Sequence, residues 1–180
     1  MKVNGVISLI FVLAAAVMGQ SSLADLAPGH AGAVKKFLAI NGQYSFMPEE
    51  VIDADYLQDM RRSLKVQKPY YAVGDLNRDG INDFAVILRR KGKPIDNGEP
   101  LAATHRYDHP LGIVIFNGLG RGGFKKAFIE DVNVPFVCFL KIDISKGRRQ
   151  LYFGVFETDA DTVIFTPTGQ GYAAKYPDAP

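Results

Sequence analysis

Cysteine, tryptophan and histidine are scarce in these 180 residues, which hold one Cys, no Trp and three His. A lone cysteine excludes an intramolecular disulfide framework and a cysteine-built zinc site. Cys138 lies in the wholly apolar run Pro135-Phe136-Val137-Cys138-Phe139-Leu140. It reads as a small buried hydrophobe on a core strand, because a reactive thiol needs an exposed, electropositive setting. Charge of one sign is lacking too: 21 Lys and Arg stand against 19 Asp and Glu, a net +2. That balance leaves no electrostatic footprint for nucleic acid or an anionic membrane. No Gly-x-Ser-x-Gly, Ser-x-x-Lys or Cys-x-x-Cys occurs, so the common nucleophilic and redox signatures have nothing to rest on.

What the chain does have begins at its start. Lys2 is followed by the apolar run Val6 to Met18, and Ser22-Leu23-Ala24 places small residues where a signal peptidase reads them. The apolar run is well short of the roughly 20 residues needed to cross a bilayer as a helix. Residues 1–24 are therefore expected to be a cleavable signal peptide, with a retained N-terminal anchor as the alternative. Cleavage after Ala24 leaves 156 residues carrying 20 bases and 19 acids. That length suits one domain, here 25–176, and the last residues, 177–180, are expected to be a disordered tail. The expected location is periplasmic or secreted.

The first third of the mature chain reads as helical. Pro28 opens a segment with Ala33, Val34, Phe37, Leu38 and Ile40 on one stripe, and Asn41-Gly42 stops it. A second helix runs from Asp53 or Asp55 through Tyr56, Leu57, Met60 and Leu64, acidic early and basic late, as the helix dipole favours. From Tyr70 onward the pattern changes to short β-branched or aromatic runs: 70–74, 84–89, 111–116, 136–142, 151–156, 162–165 and 171–176. No long helix intervenes between them, which favours antiparallel pairing. The expected fold is α+β, with N-terminal helices packed on a mostly antiparallel, curled β-sheet.

One segment carries a specific chemistry. Asp75-Leu76-Asn77-Arg78-Asp79-Gly80-Ile81-Asn82-Asp83 places oxygen-bearing side chains at positions 1, 3, 5 and 9 and glycine at position 6, where the chain turns sharply. Such alternation aims hard oxygen donors at one point, as a calcium ion requires. Val86 stands where an EF-hand needs its glutamate, and Phe84 to Leu88 reads as a buried strand, so an EF-hand is disfavoured. The stretch Val73 to Val86 resembles the calcium loop of FG-GAP and VCBS-type repeats, known from integrin α-subunit propellers and many secreted bacterial proteins. The resemblance implies a structural calcium site formed by the Asp75, Asn77, Asp79 and Asp83 side chains with the Ile81 carbonyl. It covers about 15 residues in a single copy, whereas a propeller needs at least four blades. The site is carried over, and the propeller is not.

Three other constellations have simpler readings. Gly118-Leu119-Gly120-Arg121-Gly122-Gly123 matches a dinucleotide fingerprint, but no adequate helix follows, so a hairpin loop is favoured. His105 and His109 lie four apart with Asp108 between, yet Pro110 opposes the helix that would put both on one metal. Glu157, Asp159 and Asp161 suit a solvated turn better than a carboxylate pair for catalysis. His30 has no discernible partner. The sequence thus points to an exported, calcium-stabilised binding or interaction module for a protein or envelope ligand, leaning away from an enzyme. A small extracytoplasmic hydrolase using the His105–His109 loop is the alternative.

Overall fold

The computed structural model describes residues 23–92, 109–134, 137–145, 148–156, 162–169 and 171–176. Residues 1–22 of the expected signal peptide 1–24, together with His105, Asp108, the acids at 157–161 and the tail 177–180, lie outside the described residues.

Two helices come first. A 3-10 turn, Leu23–Asp25, contains the expected cleavage point and leads into α1, Pro28–Ile40. Pro28 sits in the first turn of α1, where its missing N–H is no loss, and Asn41 ends the helix by donating to the Phe37 carbonyl. After a second 3-10 turn, Glu49–Val51, comes α2, Ala54–Leu64. Its N-cap is Asp53, whose carboxylate accepts the Asp55 amide hydrogen at 2.9 Å. Lys65 closes it in the left-handed region at φ 56°.

The strands are β1 Tyr44–Phe46, β2 Tyr71–Gly74, β3 Asp83–Arg90, β4 His109–Leu119, β5 Gly123–Val134, β6 Cys138–Ser145, β7 Arg148–Val155, β8 Val163–Thr168 and β9 Gly171–Lys175. They form two antiparallel sheets. In the first, the order is β1-β3-β4-β5, with β2 following β1 along the same edge of β3. In the second, the order is β6-β7-β8-β9.

The expected α+β architecture, N-terminal helices packed on a curled sheet, is therefore corrected: among the described residues strand makes up 50% and helix 23%, in two antiparallel sheets with only two α-helices. The physical reason lies largely in β5. Its residues Lys125, Lys126, Glu130 and Asp131 break the apolar run that marks a strand, because β5 is an edge strand that buries little. Paired along β4, β5 completes the first sheet. The next strand then starts a second sheet instead of extending the first.

Phe84 to Leu88 and Leu111 to Phe116 are buried without alternation because β3 and β4 have a core on each face. On one face Phe84, Val86, Leu88, Val114 and Phe116 meet Ala31, Val34 and Phe37 of α1. On the other, Ala85, Ile87, Ile113 and Ile115 meet Leu140, Leu151, Phe153 and Phe165 of the second sheet, with Met60 of α2. Cys138 is fully buried there, and burial pushes its thiol far up from its ordinary range. No described helix is long and apolar enough to cross a membrane.

Candidate metal centre

The β2–β3 connection holds the residues expected to bind calcium. Gly74 pairs with Asp83, and the residues between them form the loop. Two short side-chain turns shape it. Asn77 Oδ1 accepts the Asp79 amide hydrogen at 2.9 Å, and Asp79 Oδ1 accepts that of Ile81 at 2.8 Å. Asparagine and aspartate stabilise such turns by bonding to the backbone two residues on. Gly80, at φ +85°, takes the left-handed conformation that a branched residue resists, and its N–H reaches Asp75 Oδ2 at 3.2 Å. Arg78 also has positive φ and is exposed, so its charge stays in solvent. Leu76 anchors the loop, 2% exposed in the main core.

These bonds gather Asp75, Asn77 and Asp79, and the Asn77 amide donates to Asp79 Oδ2 at 2.8 Å. Asp75 Oδ1 is different. It is buried and has no hydrogen-bond donor. Buried polar atoms are nearly always paired, so an orphaned carboxylate oxygen calls for a partner.

Asp83 takes another role. It is fully buried, and its Oδ2 accepts the amide hydrogens of Leu76 and Asn77 at 2.9 and 3.0 Å. Its Oδ1 accepts that of Gly118, on β4, at 2.8 Å. The Tyr172 hydroxyl, on β9, donates to Asn117 Oδ1 at 3.0 Å and stands 3.4 Å from Asp83 Oδ2. Burial holds the Asp83 carboxyl above its ordinary value, while the three backbone amides pull the other way. Burial also pushes the Tyr172 hydroxyl far up, and the neighbouring Asp83 charge adds to the effect.

The donor set suits a hard cation: carboxylate and amide oxygens, with no sulfur or imidazole. Among the described residues, no three His, Cys, Asp or Glu side chains gather as a metal-holding group. Asp75 and Asp79 are the acids whose bonds stay within the loop, Asn77 lies between them, and Asp83 is turned to the backbone. Asp83 Oδ1 accepts one backbone amide, which leaves a lone pair on a carboxylate oxygen.

The Asn117, Gly118 and Tyr172 ring around Asp83 has no local signature, since its nearest member in sequence is Asn117, well beyond the loop, and Gly118 and Tyr172 lie 35 and 89 residues away. The expectation that His30 lacks a partner is overturned. It shares a hydrogen bond with the Tyr71 hydroxyl, stacks on Phe84 at 4.3 Å between centroids and meets the edge of Phe124 at 4.6 Å. Of the segment Gly118 to Gly123, only Gly120 to Gly122 form the tight β4–β5 connection, since Gly118 and Leu119 end β4 and Leu119 pairs with Gly123 at the start of β5. His109 opens β4 opposite Val134. Compared with protein-family models, curated proteins and solved structures, the chain matches none of them.

Proposed function

We propose that the chain is an exported binding or interaction module whose β2–β3 loop takes a calcium ion. The observation that carries the metal is Asp75 Oδ1, a buried carboxylate oxygen that no donor reaches. A cation placed against it would satisfy that oxygen and offset the repulsion between Asp75 and Asp79. Side-chain oxygens of Asp75, Asn77 and Asp79 and the Ile81 carbonyl would hold it, with Asp83 contributing through Oδ1 while it fixes the loop to β4. Calcium takes 6 to 8 oxygens, so water would complete the shell. When bound, the ion supplies charge neutralisation and a cross-link between the strands.

Export supports occupancy. Extracellular modules work with dissociation constants of about 10⁻⁴–10⁻³ M, which suit a site with few carboxylates. The loop joins two strands of a layered core, a position from which bound metal adds to native-state stability. A binding role, for a protein or envelope ligand, fits a module held rigid in this way.

Thermal melting of the mature protein in chelator and in millimolar calcium tests the reading. An ion that binds only the native state adds about 2.7 kcal/mol at a hundredfold excess over its Kd. For a domain of this size that is a rise in melting temperature of about 5–10 °C. Coincident curves would overturn the proposal.

A further inference from the structure

A groove of about 510 Å³ runs between β2, the end of α2 and β6. Its floor is apolar, with Val66, Ala72, Leu140 and Ile142. Among the described residues its charged lining is of one sign: Lys65, Lys68 and Lys141, and no acid. Lys68 Nζ donates to the Asp25 carbonyl at 2.5 Å and stands 5.8 Å from the Tyr71 ring centroid. An ammonium has three donors, so Lys68 retains capacity for a ligand. Lys141 lies 3.7 Å from Asp143, a loose and exposed pair that a better-placed carboxylate would displace. Three cations over an apolar strip, in a chain of near-neutral charge, favour an acidic partner at this place.

The backbone at the groove favours an extended partner. Among the described residues β2 pairs with β3 alone and β6 with β7 alone, so each strand turns one edge away from its own sheet. Ile87 donates to the Tyr70 carbonyl, which aims the even-numbered residues of β2 at β3 and leaves the main chain of Tyr71 and Val73 on the outer edge. Tyr71 N–H is taken by the Lys68 carbonyl at 3.2 Å. On β6, Leu140 donates outward to the Pro69 carbonyl at 2.7 Å, so Ile142 and Ile144, at the same phase, also face outward. The Ile144 amide is capped by Asp143 Oδ1. Val73 and Ile142 thus present main-chain groups at the groove, and the exposed Val73 and Ile144 side chains continue its apolar strip. Strand edges of this kind take up extended peptides, with main-chain bonds for affinity and side-chain contacts for specificity.

We propose that the β2–β6 groove docks an extended acidic peptide, its carboxylates on Lys65, Lys68 and Lys141 and its main chain along Val73 and Ile142. This rests on the binding-module reading and names the partner class for it.

The test uses the mature protein and three fluorescein-labelled heptapeptides. One alternates Glu with Val between terminal glycines, the second has Lys for every Glu, and the third is the acidic peptide N-methylated along one edge. Anisotropy should show the acidic peptide binding with a Kd below about 1 mM. The basic peptide and the N-methylated peptide should each bind at least tenfold more weakly. The double variant Lys65→Glu with Lys141→Glu should lose the acidic peptide and accept the basic one, and amide shifts at Val73 and Ile142 should report the contact. Equal binding of acidic and basic peptides, indifference to N-methylation, or no binding at about 1 mM would overturn the proposal. So would single-stranded DNA or anionic vesicles that displace the acidic peptide at equal charge concentration. Melting the same samples with and without calcium separates the two readings: a lost peptide signal with an intact calcium shift removes the groove alone, and a lost calcium shift with intact peptide binding removes the metal alone.

Discussion

Gly118 donates its amide hydrogen to Asp83 Oδ1 at 2.8 Å, and it does so from beneath the loop that Asp83 closes. A Cβ on Gly118 would stand 2.6 Å from Ile81 Cγ2 and closer still to the Asn82 carbonyl oxygen. Backbone meets backbone here, so the missing side chain sets the approach of β4 to the loop. Gly118→Ala is expected to destabilise by about 1–3 kcal/mol through overpacking. Gly120→Ala, which meets nothing within 4 Å, should stay within about 0.5 kcal/mol of the wild type. Urea unfolding compares the two, and equal losses would contradict the close approach.

Removing the carboxylate should cost more. Asp83→Ala leaves the amides of Leu76, Asn77 and Gly118 without their acceptor. At about 1–3 kcal/mol for each stranded buried donor, partly relieved by relaxation or entering water, a loss of about 3–5 kcal/mol is expected. Asp83→Asn keeps one acceptor oxygen and should fall between the alanine variant and the wild type in the same urea series.

Asp75 should behave in the opposite sense. Its Oδ1 is buried and unpaired, so without calcium the charge is a liability. Asp75→Asn is expected to leave the calcium-free protein as stable as the wild type or up to about 1 kcal/mol more stable, and to abolish the rise in melting temperature on adding calcium. A calcium shift that survives this substitution would remove Asp75 from the site.

His30 gives the fold a dependence on acid. Burial against Phe84, Phe124 and Tyr71 holds its imidazole below the ordinary value of 6.5. The unfolded chain then binds the proton more readily, so the His30 contribution is intact above about pH 6.5 and is lost as the pH falls below it. Asp83, held above its ordinary value, has the opposite sign. The histidine effect is therefore read as the difference between wild type and His30→Phe in chemical unfolding from pH 5 to 8. Parallel pH profiles would show that His30 contributes nothing.

Cys138 offers a clean reporter of opening. Its exposure is nil, and burial keeps the thiol protonated. A thiol reagent is expected to leave the native protein unmodified over hours and to label one cysteine per chain in concentrated guanidinium chloride. Rapid labelling of the folded protein would contradict its place in the core.

The legible parts of the chain were those whose cause is local. Pro28 and Asn41 bracket α1, and Asp53 caps α2, because capping depends on residues within a turn of the helix end. Phe84 to Leu88 and Leu111 to Phe116 announce themselves as strands through unbroken apolar runs. The turn residues Asn77, Asp79 and Gly80 shape their loop through bonds that span two residues or a few more. Other features depend on distant partners. Tyr44–Phe46 is a strand only because Leu88 to Arg90 runs beside it, and β5 hides its register behind exposed lysines and behind acids that Tyr176 and Tyr44 reach from distant parts of the chain. Division into two sheets depends on which strand follows β5 in space, and no residue pattern in β5 or β6 states it. His30 finds Tyr71 across 41 residues, beyond the reach of any periodicity.

Asp83 receives a late neighbour from Tyr172, in the last strand of the described residues. Emerging from the ribosome, the chain presents the loop early and the strand that completes its surroundings late. Until β9 docks, the side of Asp83 that Tyr172 covers has no such lid. The loop and the C-terminal strand thus share one moment of completion, and a chain cut short before Gly171 would carry every loop residue yet lack part of the shell that sets Asp83 in place.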